Sequence, residues 1–204
     1  TGEGNKVFSA GADLKEVADG KVADLYTDAG GFAGLAQADR KKVWIAAVNG
    51  FALAGGFELV LSCDLVVASD TAQFGLPEVG VGLLAAAGGA YRLPRVLPRA
   101  VALEMIATTQ RMPADRALAF GLVNRIAPEG KAVEEALVLA RKICGNAPLA
   151  VQESLVIARK SADLDDKSLN RLSMEAQERL QKTEDFTEGP RAFIEKRAPV
   201  WKGR

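Results

Sequence analysis

The sequence reads WIAAVNGFALAGGFELVLSCDLVVA over residues 44–68. Residues 44–48 form an apolar run that ends at an Asn-Gly pair, as a buried strand does where it leaves into a turn. Residues 57–63 are apolar apart from one glutamate and one serine and predict a buried helix, while residues 64–68 predict a second buried strand. A strand, a glycine-bearing turn, a helix and a strand make a βαβ-type unit, so this stretch favours an α/β fold.

The elements on both sides of this unit divide the chain into an α/β core over residues 1–127 and a helical region over residues 128–204. In the core, spacing and composition predict a loop leading into a short helix over 1–20, a mobile loop over 20–34, a helix over 37–43, a loop over 72–82, helices over 88–97, 99–108 and 113–121, and a last strand over 122–126. In the helical region they predict helices over 131–145, 148–160, 165–182 and 185–196.

Composition excludes several classes of protein. Hydrophobic residues make up 49% of the chain, which excludes a mainly disordered protein, and no uncharged run is long enough to cross a membrane. The formal net charge is zero, so nothing in the balance points to nucleic acid as a partner. The chain has no histidine, which excludes Ser–His and Cys–His catalysis and leaves carboxylates, Lys, Tyr or Cys as acids and bases. Cys63 and Cys144 lie far apart and predict reduced thiols in a cytoplasmic protein.

Three loops carry the residues best suited to chemistry. In residues 8–15, small side chains let the backbone approach a ligand, and the Ala12 amide is predicted at a helix start, where free N–H groups favour negative charge. Gly55 precedes the predicted buried helix and offers further free amides. Glu58, on the first turn of that helix, and Glu78, in a loop of apolar residues and glycines, are carboxylates in apolar surroundings.

Each of these signals has a plainer interpretation when it is taken alone. The first loop also fits a simple helix-start turn, Glu58 a capping or solvent-facing acid, and Glu78 an acid of a surface loop. If the two carboxylates face one cleft, they can supply the acid and the base of a reaction that needs no histidine.

The order and spacing of these motifs across the whole chain resemble the crotonase superfamily, which comprises enoyl-CoA hydratases and isomerases. The stretches that carry the resemblance are FSAGADLK at 8–15, IAAVNG at 45–50, GGFE at 55–58, FGLPE at 74–78, GGAYRL at 88–93, GLVN at 121–124 and EGPRAFIEKR at 188–197. Residues 30–35 and the tail over 195–204 are similar to carnitinyl-CoA dehydratases of that superfamily. The resemblance implies a crotonase, or ClpP-like, α/β fold of stacked ββα units with a helical C-terminal trimerisation region.

The resemblance also implies catalytic roles for four residues. Family members bind an acyl-CoA thioester and stabilise the enolate formed at its carbonyl with two backbone amides, which map to Ala12 and Gly55. Hydratases of the family carry two glutamates that hold the water, and these match Glu58 and Glu78. By this resemblance Glu58 helps to activate the water, and Glu78 exchanges a proton at the α-carbon. The presence of both implies an enoyl-CoA hydratase, which adds or removes water in syn fashion across the α,β double bond, rather than an isomerase.

The resemblance further implies a set of contacts to coenzyme A. The matching positions are Lys6, Ala10, Ala12, Asp13, Leu14 and Lys15, together with Phe193 and Lys196, which match tail residues that reach coenzyme A in a neighbouring subunit. No metal and no redox cofactor is implied, because coenzyme A enters as part of the substrate. The expected assembly is a homotrimer or a homohexamer, with no nucleic-acid or membrane partner.

Two departures from the family pattern bear on these expectations. The family carries further core strands before the point that matches Thr1, so we expect the sequence to be a fragment. The residues at 84–88 replace a Pro-Gly-Ala-Gly type of loop, and Ala86 stands where a glycine amide lies near the water, which is expected to alter substrate choice. The alternatives to a general enoyl-CoA hydratase are a carnitinyl-CoA dehydratase and a non-catalytic crotonase-fold protein that binds acyl-CoA or RNA.

Overall fold

The computed structural model describes all residues from Thr1 to Arg204, and the chain forms two compact units. The first unit holds residues 1–40 and 44–138, and the second holds residues 41–43 and 139–204. The first unit contains every strand, whereas the second is built from helices.

Short strands and helices alternate along the first unit. Its strands are β1 (Val7–Ser9), β2 (Tyr26–Thr27), β3 (Gly31–Phe32), β4 (Ile45–Val48), β5 (Phe51–Leu53), β6 (Leu65–Ser69), β7 (Gln73–Gly75), β8 (Met112–Pro113) and β9 (Arg125–Ala127). Its helices are α1 (Leu14–Ala18), α2 (Gly55–Ser62), α3 (Gly89–Val96), α4 (Arg99–Thr108), α5 (Ala114–Ala119) and the first part of α6 (Ala132–Cys144), with 3₁₀ turns at Val22–Leu25 and Glu78–Val81.

The strands form two larger sheets and one small hairpin. Strands β4, β6 and β9 pair in parallel, with Ile45 opposite Leu65 and Val67 opposite Arg125. Strands β1, β5 and β7 also pair in parallel, and β8 joins the edge of β7 in antiparallel fashion. Strands β2 and β3 form the hairpin.

Successive strands of the chain enter different sheets before each long helix. Strand β4 belongs to one sheet, β5 to the other, and α2 follows; β6 and β7 repeat this distribution before α3. The two repeats are ββα units. Residues 44–68 therefore contain one more strand in the structure than the predicted βαβ pattern has. That strand is β5, only three residues long, which follows directly after the Asn-Gly turn.

Helix α2 lies at the centre of the first unit's core. Nearly all of its residues are buried, which fits a segment that is apolar apart from Glu58 and Ser62. It packs against α3 and against β1 and β5. A Cβ atom on Gly56 would lie 2.1 Å from the carbonyl oxygen of Ser9, so only glycine allows the start of α2 to approach the end of β1 this closely. Around the helix, Phe57 and Phe74 pack with ring centroids 5.4 Å apart.

Several predictions of local structure are wrong. The loops predicted within residues 1–20 and over residues 72–82 contain the strands β1 and β7. Residues 37–43 are not helical. The Gln37 side chain accepts from the nearby Phe32 amide and donates to the distant Ala87 carbonyl, so it is engaged in tertiary contacts rather than on a helix face. The mobile loop predicted over residues 20–34 instead holds regular structure, a 3₁₀ turn and the β2–β3 hairpin.

The second unit consists of the end of α6 and of α7 (Pro148–Lys160), α8 (Asp166–Leu180) and α9 (Glu184–Ile194), as the periodicity predicts. Arg179 forms a bidentate ion pair with Glu153, with nitrogen–oxygen distances of 2.9 and 2.7 Å, and so links α8 to α7. The buried carboxylate of Asp185 accepts hydrogen bonds from the amides of Lys202 and Gly203 at 2.6 and 2.9 Å. This carboxylate therefore fixes the C-terminal tail along α9.

The side chain of Asn49 fixes the segment that leads into β1. It is buried; its amide nitrogen donates to the carbonyls of Gly4 and Val7 at 2.7 and 3.2 Å, and its oxygen accepts from the Gly2 amide at 3.1 Å.

Replacing Asn49 by Ala should lower the free energy of unfolding by about 1–3 kcal/mol, because it leaves three backbone groups without their partner. Urea unfolding measures the change. The matched control is Asn5→Ala, which removes an exposed side chain from the same segment and should change stability much less. Equal stability losses in the two variants would contradict the structural role of Asn49.

Candidate active site

The carboxyl ends of three neighbouring parallel strands meet at one edge of the sheet formed by β1, β5 and β7. Residues 10–13 follow β1, Ala54 and Gly55 follow β5, and residues 76–78 follow β7. Parallel pairing brings these three connections together, although they lie far apart in sequence. The three loops singled out from the sequence are therefore adjacent in the fold.

A cavity of about 460 Å³ opens at this edge. Ala12, Gly55, Glu58 and Glu78 all border it. The rest of its wall is almost wholly apolar: Ala10, Leu14, Val17, Val22, Leu25, Tyr26, Phe32, Leu53, Ala54, Pro77, Val81, Leu83, Leu84, Ala86 and Ala87. Two carboxylates and one phenol thus face an apolar space large enough for a small acyl group.

Ala12 and Gly55 line the cavity, and their backbone amides donate no hydrogen bond to another group of the chain. Their loops are in close contact, since a Cβ atom on Gly11 would lie 2.6 Å from the Gly55 nitrogen. Ala54, just before Gly55, has φ 50° and ψ −131°, a strained conformation for a residue with a side chain, and it turns the chain sharply into α2. Two free donors on these two adjacent loops suit an oxygen that gains negative charge.

The position of the Ala12 amide differs from the prediction in one detail. Helix α1 begins at Leu14, and Asp13 is its N-cap, with its side chain accepting from the Lys15 amide at 2.8 Å. Ala12 therefore lies just before the cap rather than inside the helix start, and the turn around Gly11, at φ 86°, leaves its N–H free instead.

Glu58 is held in the cavity wall by backbone amides. Its side chain is 4% exposed, and its Oε1 accepts a hydrogen bond from the Gly89 amide at 2.8 Å. Burial raises the pKa of Glu58 above its usual 4.5, while the amides of Gly89, Ala87 and Gly88 and the charge of Arg92 oppose the rise. Glu58 is thus a carboxylate whose ionised form has partners in place.

Glu78 is buried but has no such partners. It is 8% exposed, and neither of its carboxylate oxygens has a hydrogen-bond partner in the chain. Burial raises its pKa above 4.5, its own amide opposes the rise, and the negative charge of Glu58 adds to it. The pKa values of both glutamates are thus raised by burial, but only the ionised form of Glu58 has hydrogen-bond partners in place.

These unequal surroundings separate the roles of the two groups. A carboxylate supported by amides is suited to accept a proton, and an unsupported buried carboxyl is suited to donate one. The pair, together with the two free amides, can add and remove protons on either side of a charge held at the amides.

The structure distributes the predicted coenzyme A contacts unevenly. Ala10, Ala12 and Leu14 line the cavity, whereas Lys6, Asp13 and Lys15 do not. Lys6 precedes β1, and its carbonyl accepts from the Phe51 amide. Phe193 and Lys196 belong to the second unit, where Phe193 is 85% exposed near the end of α9 and Lys196 follows that helix.

Four side chains of this region were missed from the sequence. Tyr26 and Phe32 line the cavity with their rings in edge contact, 5.7 Å between centroids, and burial raises the pKa of Tyr26, with the charge of Glu58 adding to the rise. The aromatic residues on either side of a Gly-Gly pair are a hairpin signal that could have identified them. Gln37 and Arg92 bind the backbone behind Glu58 and carry no local sequence signal.

Three further findings concern the Ala86 amide, possible metal sites and possible membrane-spanning helices. The Ala86 amide donates to the Leu84 carbonyl at 2.8 Å, so it is engaged within its own turn. No group of three or more Cys, Asp or Glu side chains is arranged to hold a metal ion. None of the helices has both the length and the apolar character needed to cross a membrane.

Comparison with known proteins gives consistent matches over the whole chain. The family model described as enoyl-CoA hydratase/isomerase matches residues 1–204. A protein of Salmonella typhi named carnitinyl-CoA dehydratase is 44% identical, and the match covers 100% of this chain and 80% of that protein.

Two solved structures extend the likeness to the fold. The crystal structure of enoyl-CoA hydratase from Mycobacterium tuberculosis H37Rv superposes with a TM-score of 0.93 at 41% identity, covering 100% of this chain and 79% of that one. The crystal structure of carnitinyl-CoA hydratase from Mycobacterium avium is 47% identical, with a TM-score of 0.72, and the match covers 100% of this chain and 80% of that one. The predicted α/β fold class is confirmed.

Proposed function

The chain belongs to the enoyl-CoA hydratase/isomerase family, and on that premise we propose that it adds water to, and removes water from, the α,β double bond of an acyl-CoA thioester. The observation that carries this proposal is the pairing of an amide-supported Glu58 with an unsupported Glu78 in one cavity, beside the free amides of Ala12 and Gly55. An isomerase moves a proton and does not need a second carboxylate for water.

The site supports a complete sequence of bonds and protons. The thioester carbonyl accepts from the Ala12 and Gly55 amides, which stabilise the enolate oxygen as charge develops there. Glu58 takes a proton from water as the water oxygen bonds to the β-carbon, and the double-bond electrons move toward the carbonyl. Glu78 then gives its proton to the α-carbon. Proton exchange with solvent returns Glu58 to its ionised form and Glu78 to its protonated form before the next turnover. Dehydration runs through the same states in reverse, with Glu78 as the base and Glu58 as the acid.

The cavity wall supports an apolar acyl group as the substrate portion. Leu83, Leu84 and Val81 are partly exposed side chains that border the opening and offer apolar contact. Coenzyme A enters as part of the substrate in this proposal, and the chemistry requires no other cofactor.

The second candidate is a carnitinyl-CoA dehydratase. The names of the relatives favour it, and so does the ring pair of Tyr26 and Phe32 beside two carboxylates, because aromatic rings and anionic groups suit a trimethylammonium group. A non-catalytic acyl-CoA or RNA binder is a poorer fit, since a binding protein gains nothing from a buried carboxylate without a partner.

Turnover of crotonyl-CoA, followed by the loss of its enoyl-thioester absorbance, tests the proposal, with crotonobetainyl-CoA assayed in parallel. Turnover of crotonyl-CoA supports the general hydratase. Turnover of crotonobetainyl-CoA alone supports the second candidate. The absence of both reactions would reject a hydratase function and leave another reaction of the family or a binding role.

The pH dependence of hydration should be bell-shaped. Glu58 must be ionised to accept a proton, so activity falls as pH drops through its pKa; Glu78 must be protonated to donate, so activity falls again as pH rises through its pKa. Because burial raises both pKa values, the acidic limb of kcat/KM should lie above 4.5. Initial rates across the pH range in which the protein stays folded measure the profile, and a profile without an acidic limb would contradict the role of Glu58.

The proposed assembly is a homotrimer or a homohexamer. Support comes from the second unit, where Phe193 and Ile194 are 85% and 78% exposed at the end of α9, a large apolar pair for a free surface. Light scattering measures the mass, and a stable monomer would reject the assembly. The cytoplasmic location and the absence of a nucleic-acid partner stay predictions from composition.

A further inference from the structure

Two side chains from distant parts of the chain converge on one carbonyl behind Glu58. The Ala87 oxygen accepts from Gln37 Nε2 and from Arg92 Nη1, both at 3.1 Å. Arg92 also donates through Nη2 to the Ala36 carbonyl at 2.7 Å, and the Gln37 oxygen accepts from the Phe32 amide at 3.0 Å. We call this arrangement of Gln37 and Arg92 on the Ala36 and Ala87 carbonyls the carbonyl clamp.

The clamp fixes the direction of the amides that face Glu58. All peptide bonds of the chain are trans, so the carbonyl of Ala87 and the N–H of Gly88, which share one peptide plane, point in opposite directions. The clamp holds the carbonyl side of that plane. Its N–H side faces Glu58, as does the next amide along the chain, Gly89, at 2.8 Å from Glu58 Oε1.

Two glycines make room for the clamp. A Cβ atom on Gly88, which has φ 128°, would lie 2.4 Å from Arg92 Nη1, and a Cβ atom on Gly31 would lie 1.6 Å from Gln37 Oε1. Both side chains therefore occupy space that any other residue at these glycines would fill. The clamp also joins the wall that carries Phe32 to the turn at 86–89, so it connects two sides of the cavity.

We propose that Arg92 and Gln37 are positioning residues, which hold the backbone at 87–89 so that its amides fix the Glu58 carboxylate in the orientation needed to activate water. The inference rests on the proposed hydratase function for its kinetic consequences. Its geometric part, the dependence of Glu58 on the clamp, can be measured without turnover.

The charge of Arg92 and the shape of its guanidinium group make separate contributions to the state of Glu58. Arg92 is the cation that faces Glu58, and the other titratable groups whose charges act there are Glu78 and Tyr26. Removing the Arg92 charge should raise the pKa of Glu58, because a nearby positive charge favours the carboxylate. Removing the fork of the guanidinium should loosen the 87–89 amides even where the charge remains.

Three variants separate these contributions. Arg92→Gln should lower kcat by about 10- to 100-fold with little change in KM, as displacement of a reacting group does, and should move the acidic limb of the pH profile upward. Arg92→Lys keeps the charge but cannot contact both carbonyls at once, so it should leave the acidic limb near its original position while kcat stays reduced. Gln37→Ala should lower kcat without moving the limb as far as Arg92→Gln does.

The matched control is Arg95→Gln, the same change of charge on the same helix at an exposed position outside the clamp. It should leave kcat and the pH profile unchanged. Circular dichroism and thermal unfolding show whether each variant stays folded.

A ¹³C NMR titration of the Glu58 carboxyl, assigned with Glu58→Gln, gives a reading that does not depend on activity. If wild-type protein fails to hydrate any enoyl-CoA, the hydratase function fails, while the titration still tests the clamp. If the chemical shift and the pKa of the Glu58 carboxyl are the same in folded wild type, Arg92→Gln and Arg92→Lys, the proposed dependence of Glu58 on the clamp is wrong. An active wild type whose kcat Arg92→Gln leaves unchanged would also overturn it.

Discussion

Replacing Glu78 by Gln should lower kcat for crotonyl-CoA hydration by about 10²–10⁴-fold, the usual contribution of a single proton-transfer group. The amide matches the carboxyl in shape but cannot deliver a proton to the α-carbon. Because neither oxygen of Glu78 has a partner in the chain, the substitution breaks no hydrogen bond of the fold. The loss should therefore appear in kcat, with substrate binding largely kept.

The control for this variant is Glu104→Gln, which neutralises an exposed carboxylate on α4. It should retain full activity. If Glu78→Gln keeps the wild-type rate on every enoyl-CoA that the protein accepts, Glu78 is not the acid of the reaction.

The same variant should be more stable than the wild type at neutral pH. A buried carboxylate whose pKa is raised in the folded state costs stability once it ionises, and a neutral amide costs less. The sign depends on pH: the penalty is absent below 4.5, where the folded and unfolded states both hold the proton, and is complete above the folded-state pKa. The difference in unfolding temperature between variant and wild type should thus shrink as pH falls toward 4.5.

Replacing Gly11 by Ala should be nearly as damaging, with a loss of about 10²–10³-fold in kcat, comparable to the loss of one donor of an oxyanion site. The new Cβ atom would lie 2.6 Å from the Gly55 nitrogen and 3.0 Å from its Cα, so the two loops must separate. Their separation moves the amides of Ala12 and Gly55 apart and weakens the stabilisation of the enolate. A side-chain change at Ala12 or Gly55 would not remove an amide, which makes the spacing between the loops the better target.

Gly20→Ala is the matched control, because Gly20 has a similar φ of 79° but open space around the missing Cβ atom. It carries the same backbone strain without the contact. Measuring the rate and the unfolding midpoint of both variants separates strain from displacement. Equal rates in the two variants would mean that the approach of Gly11 to Gly55 does not set the geometry of the donors.

The three candidate loops were predictable from sequence in part because their signals are local: small residues and glycines before a buried helix, and single glutamates in apolar runs. Each of these signals alone also had a plainer interpretation, so the roles of Ala12, Gly55, Glu58 and Glu78 came from the order and spacing that resemble the family. The structure brings these four to one cavity, while their catalytic roles stay predictions until the variants are measured.

The features that were missed depend on contacts between distant segments. Gln37 lies in a polar stretch that predicts a helix, yet it sits in a turn, where its side chain accepts from the Phe32 amide and donates to the Ala87 carbonyl. Arg92 reads as one more charge on a helix. Strand β1 is three residues long and is defined by its pairing with β5, so no local periodicity indicates it.

The parallel pairing of β1, β5 and β7 also determines when the site comes into existence during folding. Val7 pairs with Phe51, and Phe51 with Gln73, so chain closure over long loops must come before the cavity. Contacts of this kind are slow to form compared with helices, whose contacts are local. During refolding, enzymatic activity should therefore recover later than the circular dichroism signal of the helices. The return of activity then reports the time at which the parallel strands pair.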